Sequence, residues 1–258
     1  MITTLRHSNY LTGRSMRILA RQPAYLFFTL MQPMVWLLLF SQLFSSVSDM
    51  PGFGGGSYIT FLTPGVIVMT AIMSANWAGT MFIDDMKTGV MDRSLTSPVS
   101  RSGMINGALS YWAVVTVVQA LIVFGVSLLI GARFDGGVVG VLLAIVSATL
   151  LALIFAAFSC AMALVVRSQE TLIGMSMFLV LPLTFLSTVL MAPALLPGWM
   201  QTVAKFNPVD WAVTAARQAL GADPQWGVVF GRLGLLLLLL VVMARLATGA
   251  FRAYQRAV

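Results

Sequence analysis

The chain has 258 residues, of which 59% are apolar and only 9% charged, and its mean hydropathy is +0.93. Fifteen Lys and Arg with eight Asp and Glu cannot cover a soluble domain of this size, which ordinarily carries about 25% charged residues, so the solvent is a bilayer. A single cysteine, Cys160, and a single histidine, His7, exclude a disulfide framework, a thiolate metal cage and paired-imidazole zinc chemistry, and the net charge of +7 punctuates apolar runs where a nucleic-acid binder would cluster it.

Residues 1–22 come first along the chain. At 100° per residue, Arg6, Arg14, Arg17 and Arg21 fall within an arc of about 80°, with Leu11, Met16, Ile18 and Leu19 on the rest of the wheel. This predicts an amphipathic helix lying along the cytoplasmic interface; the simpler reading is a basic flank that only sets topology. Pro23 disfavours helical geometry at Gln22 and turns the chain into the first span.

A membrane-spanning helix needs about 20 mostly apolar residues. The uncharged gaps are 27 residues between Arg21 and Asp49, 34 between Asp49 and Asp84, 31 between Arg101 and Arg133, 31 between Asp135 and Arg167, and 34 between Glu170 and Lys205. Each holds one span. A sixth is placed at residues 227–248, where Arg232 either snorkels to the interface or faces the bundle to pair with Asp210 or Asp223. The expected organisation is therefore an interface helix at 1–22, five spans within 23–192, an outer segment at 193–226, the sixth span and a tail at 249–258. With both termini cytoplasmic, eleven Lys and Arg lie inside against four outside.

The connections differ in kind. Glycines at 52 and 54–56 fail the G-x-G-x-x-G dinucleotide pattern at Ser57 and read as a flexible hairpin between the first two spans. Residues 84–101 alternate acidic and basic side chains, with Gly89 as a break and Pro98 as a stop, and read either as a docking segment or as an ordinary polar turn. Residues 193–226 are amphiphilic: Trp199, Trp211 and Trp226 suit the headgroup level, and Pro208 can start a helix running to about Leu220. Two short outer helices dipping into the membrane edge are expected here.

Little in the chain can do chemistry. It has no G-x-x-x-x-G-K-[ST] loop, Lys87 and Lys205 follow no glycine-rich turn, and His7 and Cys160 sit on separate segments. No cofactor site and no metal site is expected. Within the spans, Gln32, Gln42, Asn76, Trp77, Asn106, Trp112 and Gln119 are candidates for lining a cavity, or for bonding helix to helix. With no Asp or Glu beside them, a bulky apolar or amphiphilic cargo suits them better than a strongly cationic one.

Two stretches carry a resemblance. Residues 84–101, ending Leu95-Thr96-Ser97-Pro98-Val99-Ser100-Arg101, resemble the segment between the second and third spans of type-2 ABC exporter permeases, and Leu196-Pro197-Gly198-Trp199-Met200-Gln201 with Asn207-Pro208-Val209 and Arg217 resembles the signature before the last span, closest to the daunorubicin-resistance type. Asp84, Asp85 and Asp92 stand where Glu is often found, and Asp210 where Thr is common. The resemblance implies an all-α integral membrane subunit with six transmembrane helices, pairing with a second permease copy or a similar permease and with two cytosolic ABC ATPase subunits that would carry ATP and Mg. Such a complex would export amphiphilic or lipid-like compounds across a bacterial plasma membrane. By carry-over, Asp84, Asp85, Lys87, Asp92, Arg93, Leu95 and Pro98 would couple to the ATPase, and Pro197, Trp199, Asn207, Pro208 and Arg217 would form the outer motif. The main rival is a carrier driven by an ion gradient, which calls for acidic relay residues at mid-depth and repeated, discontinuous helices.

Overall fold

In hydrocarbon every backbone amide must be satisfied within the protein, which leaves helices and closed barrels; the described part of this chain is helical. The computed structural model describes residues 23–44, 57–89 and 101–257. The interface helix expected over residues 1–22, with Arg6, Arg14, Arg17 and Arg21, lies outside the described residues, as do the glycines at 52–56 and Asp92, Arg93, Leu95 and Pro98.

The helices are α1 (Pro23–Leu43), α2 (Tyr58–Ala75), α3 (Ala78–Lys87), α4 (Arg101–Ile130), α5 (Gly137–Val166) and α6 (Gln169–Phe185), then α7 (Gly198–Ala204), α8 (Pro208–Leu220) and α9 (Trp226–Ala257), with a 3₁₀ turn at Pro193–Leu195 before α7. Four traverses are long and apolar enough to cross a membrane: Tyr58–Lys87, which joins α2 and α3, Ile105–Ile130, Gly137–Val166 and Trp226–Phe251. Two shorter apolar stretches, Thr29–Leu43 and Gln169–Phe185, belong to α1 and α6. The chain is an all-α membrane protein.

Tyr58 and Asp84 mark opposite ends of the bundle. The end of α1 meets the Tyr58 end, where the Phe44 ring lies 5.8 Å from that of Tyr58. The turn after α4 is also there, because the Arg133 amide donates to the Thr60 hydroxyl at 3.2 Å. At the opposite end the Gln169 amide, entering α6, donates to the Asp84 carboxylate at 3.3 Å. Among the described residues, the four long traverses and the two shorter apolar helices therefore leave Pro23 and Ala257 at the same end of the bundle, and α7 and α8 form a hairpin at the Tyr58 end.

α5 is the mast of the bundle and touches α2, α3, α4, α6, α8 and α9. Gly140, Ala144, Ala148, Ala152, Ala156 and Cys160 recur every fourth residue along it, and all are buried. Four residues turn a helix by about 400°, so this small-residue row drifts about 40° per step and offers a low surface to several neighbours in succession. Without a hydrophobic drive in lipid, helices associate by such close backbone contact. A methyl group added at Gly140 would run into the Ala219 carbonyl of α8. The Gly136 amide also donates to the Leu220 carbonyl at 3.1 Å, satisfying the end of α8.

The outer helices of the bundle show one buried seam each. In α1 the buried positions are Leu30, Pro33 and Leu37, while Met31, Val35, Leu38 and Leu39 are exposed. In α9, Val229, Leu236, Ala247 and Phe251 are buried, and the run of leucines between them mostly faces outward. That seam continues past Arg245, so the last helix extends to Ala257 where the sequence suggested an end near residue 248. Arg232 reaches back towards the hairpin and donates to the Lys205 carbonyl at 3.4 Å.

Replacing Gly140 by Val is expected to cost about 1–3 kcal/mol by forcing α8 off the mast. Gly234→Ala, which meets open space, should stay within about 0.5 kcal/mol of the parent. Thermal unfolding of the detergent-solubilised protein, read by size-exclusion fluorescence, separates the two.

Candidate functional site

α6 has 17 residues, about 26 Å at 1.5 Å per residue, which falls short of a hydrocarbon core of about 30 Å. The chain then runs irregularly through residues 186–192, where Ser187, Thr188, Val189 and Ala192 are buried. Backbone of this kind survives at membrane depth only if protein supplies its hydrogen bonds. The hairpin does so. Asn207 Nδ2 donates to the carbonyls of Leu183 and Leu186 at 2.6 and 3.0 Å, and its Oδ1 accepts from the Val209 amide at 2.9 Å, capping α8 directly before Pro208. Asp210 accepts from the amide and the hydroxyl of Thr188, and from the Thr214 hydroxyl at 3.3 Å. Arg217 donates to the carbonyls of Thr188, Val189 and Phe61, with its guanidinium carbon 3.6 Å from the centre of the Phe61 ring. The Tyr58 hydroxyl donates to the Leu190 carbonyl at 3.0 Å.

Thr188 is thus held from both sides, its amide by an acid and its carbonyl by a base. Sequence reading singled out Asn207, Pro208 and Arg217; Thr188, Tyr58 and Phe61 were missed, because their side chains or carbonyls carry no motif of their own. Pro197 starts α7, its carbonyl accepting from the Met200 and Gln201 amides at 2.9 and 3.1 Å, and Trp199 is exposed at the surface.

A second feature lies near mid-depth. The second traverse breaks at Asn76 and Trp77, between α2 and α3. Ser159 of the mast repairs the break: its hydroxyl donates to the Asn76 carbonyl at 2.6 Å and accepts from the Gly79 amide at 3.0 Å. Beside the break, a cavity of about 380 Å³ opens between Thr29, Gln32 and Pro33 of α1 and Thr70, Ser74 and Trp77. Gln119, buried on α4, accepts from the Ser74 hydroxyl at 2.9 Å and donates to the Thr29 hydroxyl at 3.3 Å, tying α4 to the cavity wall.

Of the residues proposed to line a cavity, Gln32 and Trp77 do so, and Gln119 stands behind them. Gln42 and Asn106 are exposed elsewhere on α1 and α4, and Trp112 is buried within the bundle. The carbonyl of Asn76 is engaged by Ser159, and its side-chain oxygen is buried. A smaller, apolar cavity of about 240 Å³ sits at the Tyr58 end among Phe40, Phe44, Phe185, Leu190 and Met200.

The third feature is charged. Asp84, Asp85 and Lys87, expected in a connecting segment, occupy the last two turns of α3, because Phe82 and Ile83 are buried and continue the helix. The helix closes with the Thr88 amide on the Asp84 carbonyl at 2.9 Å, and Gly89 follows with a φ of 68°. The two-residue turn Arg167 and Ser168, entering α6, brings Gln169 to Asp84 and adds Arg167 and Glu170 to the same end.

A profile of the ABC-2 type transporter family matches residues 8–220. A daunorubicin resistance ABC transporter permease protein of Streptomyces coeruleorubidus is 32% identical over 222 residues, covering 83% of this chain and 75% of its own length. A putative transport permease of Pyropia yezoensis is 27% identical, covering 87% of this chain and 81% of its own. A probable doxorubicin resistance ABC transporter permease protein of Mycobacterium tuberculosis is 26% identical, covering 67% and 62% respectively.

Arg217→Ala strips the donors from three carbonyls and should cost about 1–3 kcal/mol for each one left dry. Arg217→Lys, with one compact ammonium in place of a planar fork, should fall between it and the parent. Ser159→Ala should cost about 1–3 kcal/mol through the two groups it exposes at the break, whereas Trp199→Ala should be close to neutral. Melting temperatures of the purified variants give the ranking.

Proposed function

The chain belongs to the ABC-2 type transporter family, and from that premise we propose that it is the permease subunit of an ATP-driven exporter. It pairs with a second permease, identical or similar, and with two ABC ATPase subunits, embedded among the lipids of a bacterial plasma membrane. ATP and Mg belong to the ATPases, since this chain has no loop able to cradle phosphates. Both termini and the Asp84 end face the cytoplasm, as the excess of Lys and Arg on that side favours. Two of the relatives named above come from bacteria.

The observation that carries this reading is the geometry of α3. This ten-residue helix starts at the break beside the mid-depth cavity and ends in the charged group Asp84, Asp85 and Lys87. Helix surfaces facing lipid offer a soluble motor nothing polar to hold, whereas this end offers charges on a rigid rod about 15 Å long. A push on the charged end, and on the following segment with Asp92, Arg93, Leu95 and Pro98, tilts α3 about Asn76 and Trp77 and reshapes the cavity. The cargo is amphiphilic or lipid-like. Among the described residues the cavity wall holds no carboxylate, and two relatives are named for resistance to daunorubicin and doxorubicin. An ion-gradient carrier is the weaker reading: Asp210, the buried carboxylate among the described residues, lies at the Tyr58 end and is occupied by Thr188 and Thr214.

The test is cargo-stimulated ATP hydrolysis by the complex reconstituted in liposomes. Reversing charges at Asp84 and Lys87, or at Asp92 and Arg93, is expected to cut the stimulation about tenfold, a coupling loss of roughly 1.4 kcal/mol, while basal hydrolysis persists. Undiminished stimulation in both double variants, or uphill transport by the isolated chain on an ion gradient alone, would overturn the reading.

A further inference from the structure

Among the described residues lining the mid-depth cavity, the Gln32 carboxamide is not used by the fold. The Thr70 hydroxyl donates to the Val66 carbonyl at 2.7 Å, the Ser74 hydroxyl to the Thr70 carbonyl and Gln119, and Gln119 is committed at both ends of its amide. Gln32 is exposed on the rim, with its two N–H groups and its oxygen available. It lies eleven residues from the end of α1, about 16 Å along the axis and so close to the middle of the hydrocarbon. A bare carboxamide at that depth is unfavourable in lipid and calls for a partner. Across the same cavity Trp77 presents its ring, 43% exposed, from the break in the second traverse.

We propose that Gln32 and Trp77 form a recognition site for a neutral amphiphile carrying a hydroxyl or carbonyl group beside a flat, unsaturated ring system. The proposal rests on the transport reading and adds its chemical selectivity. Each part follows from the wall. A volume of about 380 Å³ falls within the range of small-molecule sites, about 300–1,000 Å³. Among the described residues the lining carries no charge, which disfavours a charged group at this depth. The indole face favours a planar partner by offset stacking, and the carboxamide both donates to and accepts from an oxygen substituent. Self-pairing of Gln32 between two copies would satisfy the amide but leave the recess beside Trp77 unfilled, so a ligand accounts for both. Position adds a consequence: the ring stacks on the pivot from which α3 runs to the charged end, so occupancy bears directly on that helix.

Hydroxypyrene and pyrene serve as the probe pair, with the full chain in phosphatidylcholine nanodiscs and saturable quenching of tryptophan emission as the readout. The parent should bind hydroxypyrene about tenfold more tightly than pyrene, the scale of one well-made polar contact. Gln32→Leu should abolish that preference while leaving pyrene binding unchanged. Trp77→Leu should weaken both probes, and Trp77→Phe should restore most of the loss. No saturable binding to the parent, or a preference that survives Gln32→Leu, overturns the site. Spontaneous disulfide formation between two copies of Gln32→Cys within the assembled complex also overturns it, in favour of self-pairing. Binding with the expected preference, in a complex that shows no ATP-dependent transport of either probe, sinks the exporter reading and leaves the site standing.

Discussion

The irregular backbone after α6 must find hydrogen bonds at a depth where water offers few, and the Tyr58 end of the molecule is built around that need. Asn207, Asp210 and Arg217 come from one short helix, at its cap, first turn and last turn, and all point at residues 183–189. A charged guanidinium is tolerated there because three carbonyls and an aromatic face surround it, and because Asp210 lies one peptide away across Thr188. Hydrogen bonds from charged donors are the stronger kind, and these close a site that an apolar side chain would leave with bare carbonyls. The hairpin is thus as much a part of the transmembrane bundle as the spans are.

The same economy governs the mast. α5 has to touch six other helices, and only small side chains let so many backbones come near one axis. Its row of Gly, Ala and Cys residues serves that purpose, and Cys160 takes its place there as one more small apolar group. The mast also carries Ser159, whose hydroxyl restores the hydrogen bonding of the broken second traverse.

These two constraints divide the molecule by task. The Tyr58 end is pinned by many charged and backbone contacts, which suits a fixed frame. At the Asp84 end, among the described residues, Gln169 on Asp84 links neighbouring traverses. The cavity with Gln32 and Trp77 stands between them, beside the break at Asn76 and Trp77.

Much of this was legible in one dimension. The span pattern follows from charge spacing against membrane thickness, and the outer helices follow from proline, tryptophan and asparagine placement, because both rest on local chemistry and on the fixed rise of a helix. Gln32 and Trp77 could be named as polar or amphipathic groups in apolar runs, but so could Gln42, Asn106 and Trp112, and nothing in spacing alone tells a cavity wall from a lipid-facing or packed position. The sequence by itself determined the solvent, the helical class and the kind of contacts available, since the cost of bare amides and charges in lipid depends on composition and spacing. Only the tertiary structure decided that Ser159 would bridge the break at Asn76 and Gly79, that Arg217 would find carbonyls 28 and 156 residues away, and that Gln32 would face Trp77. Such pairings join residues distant in the chain, and they exist only once the mast has brought the helices together.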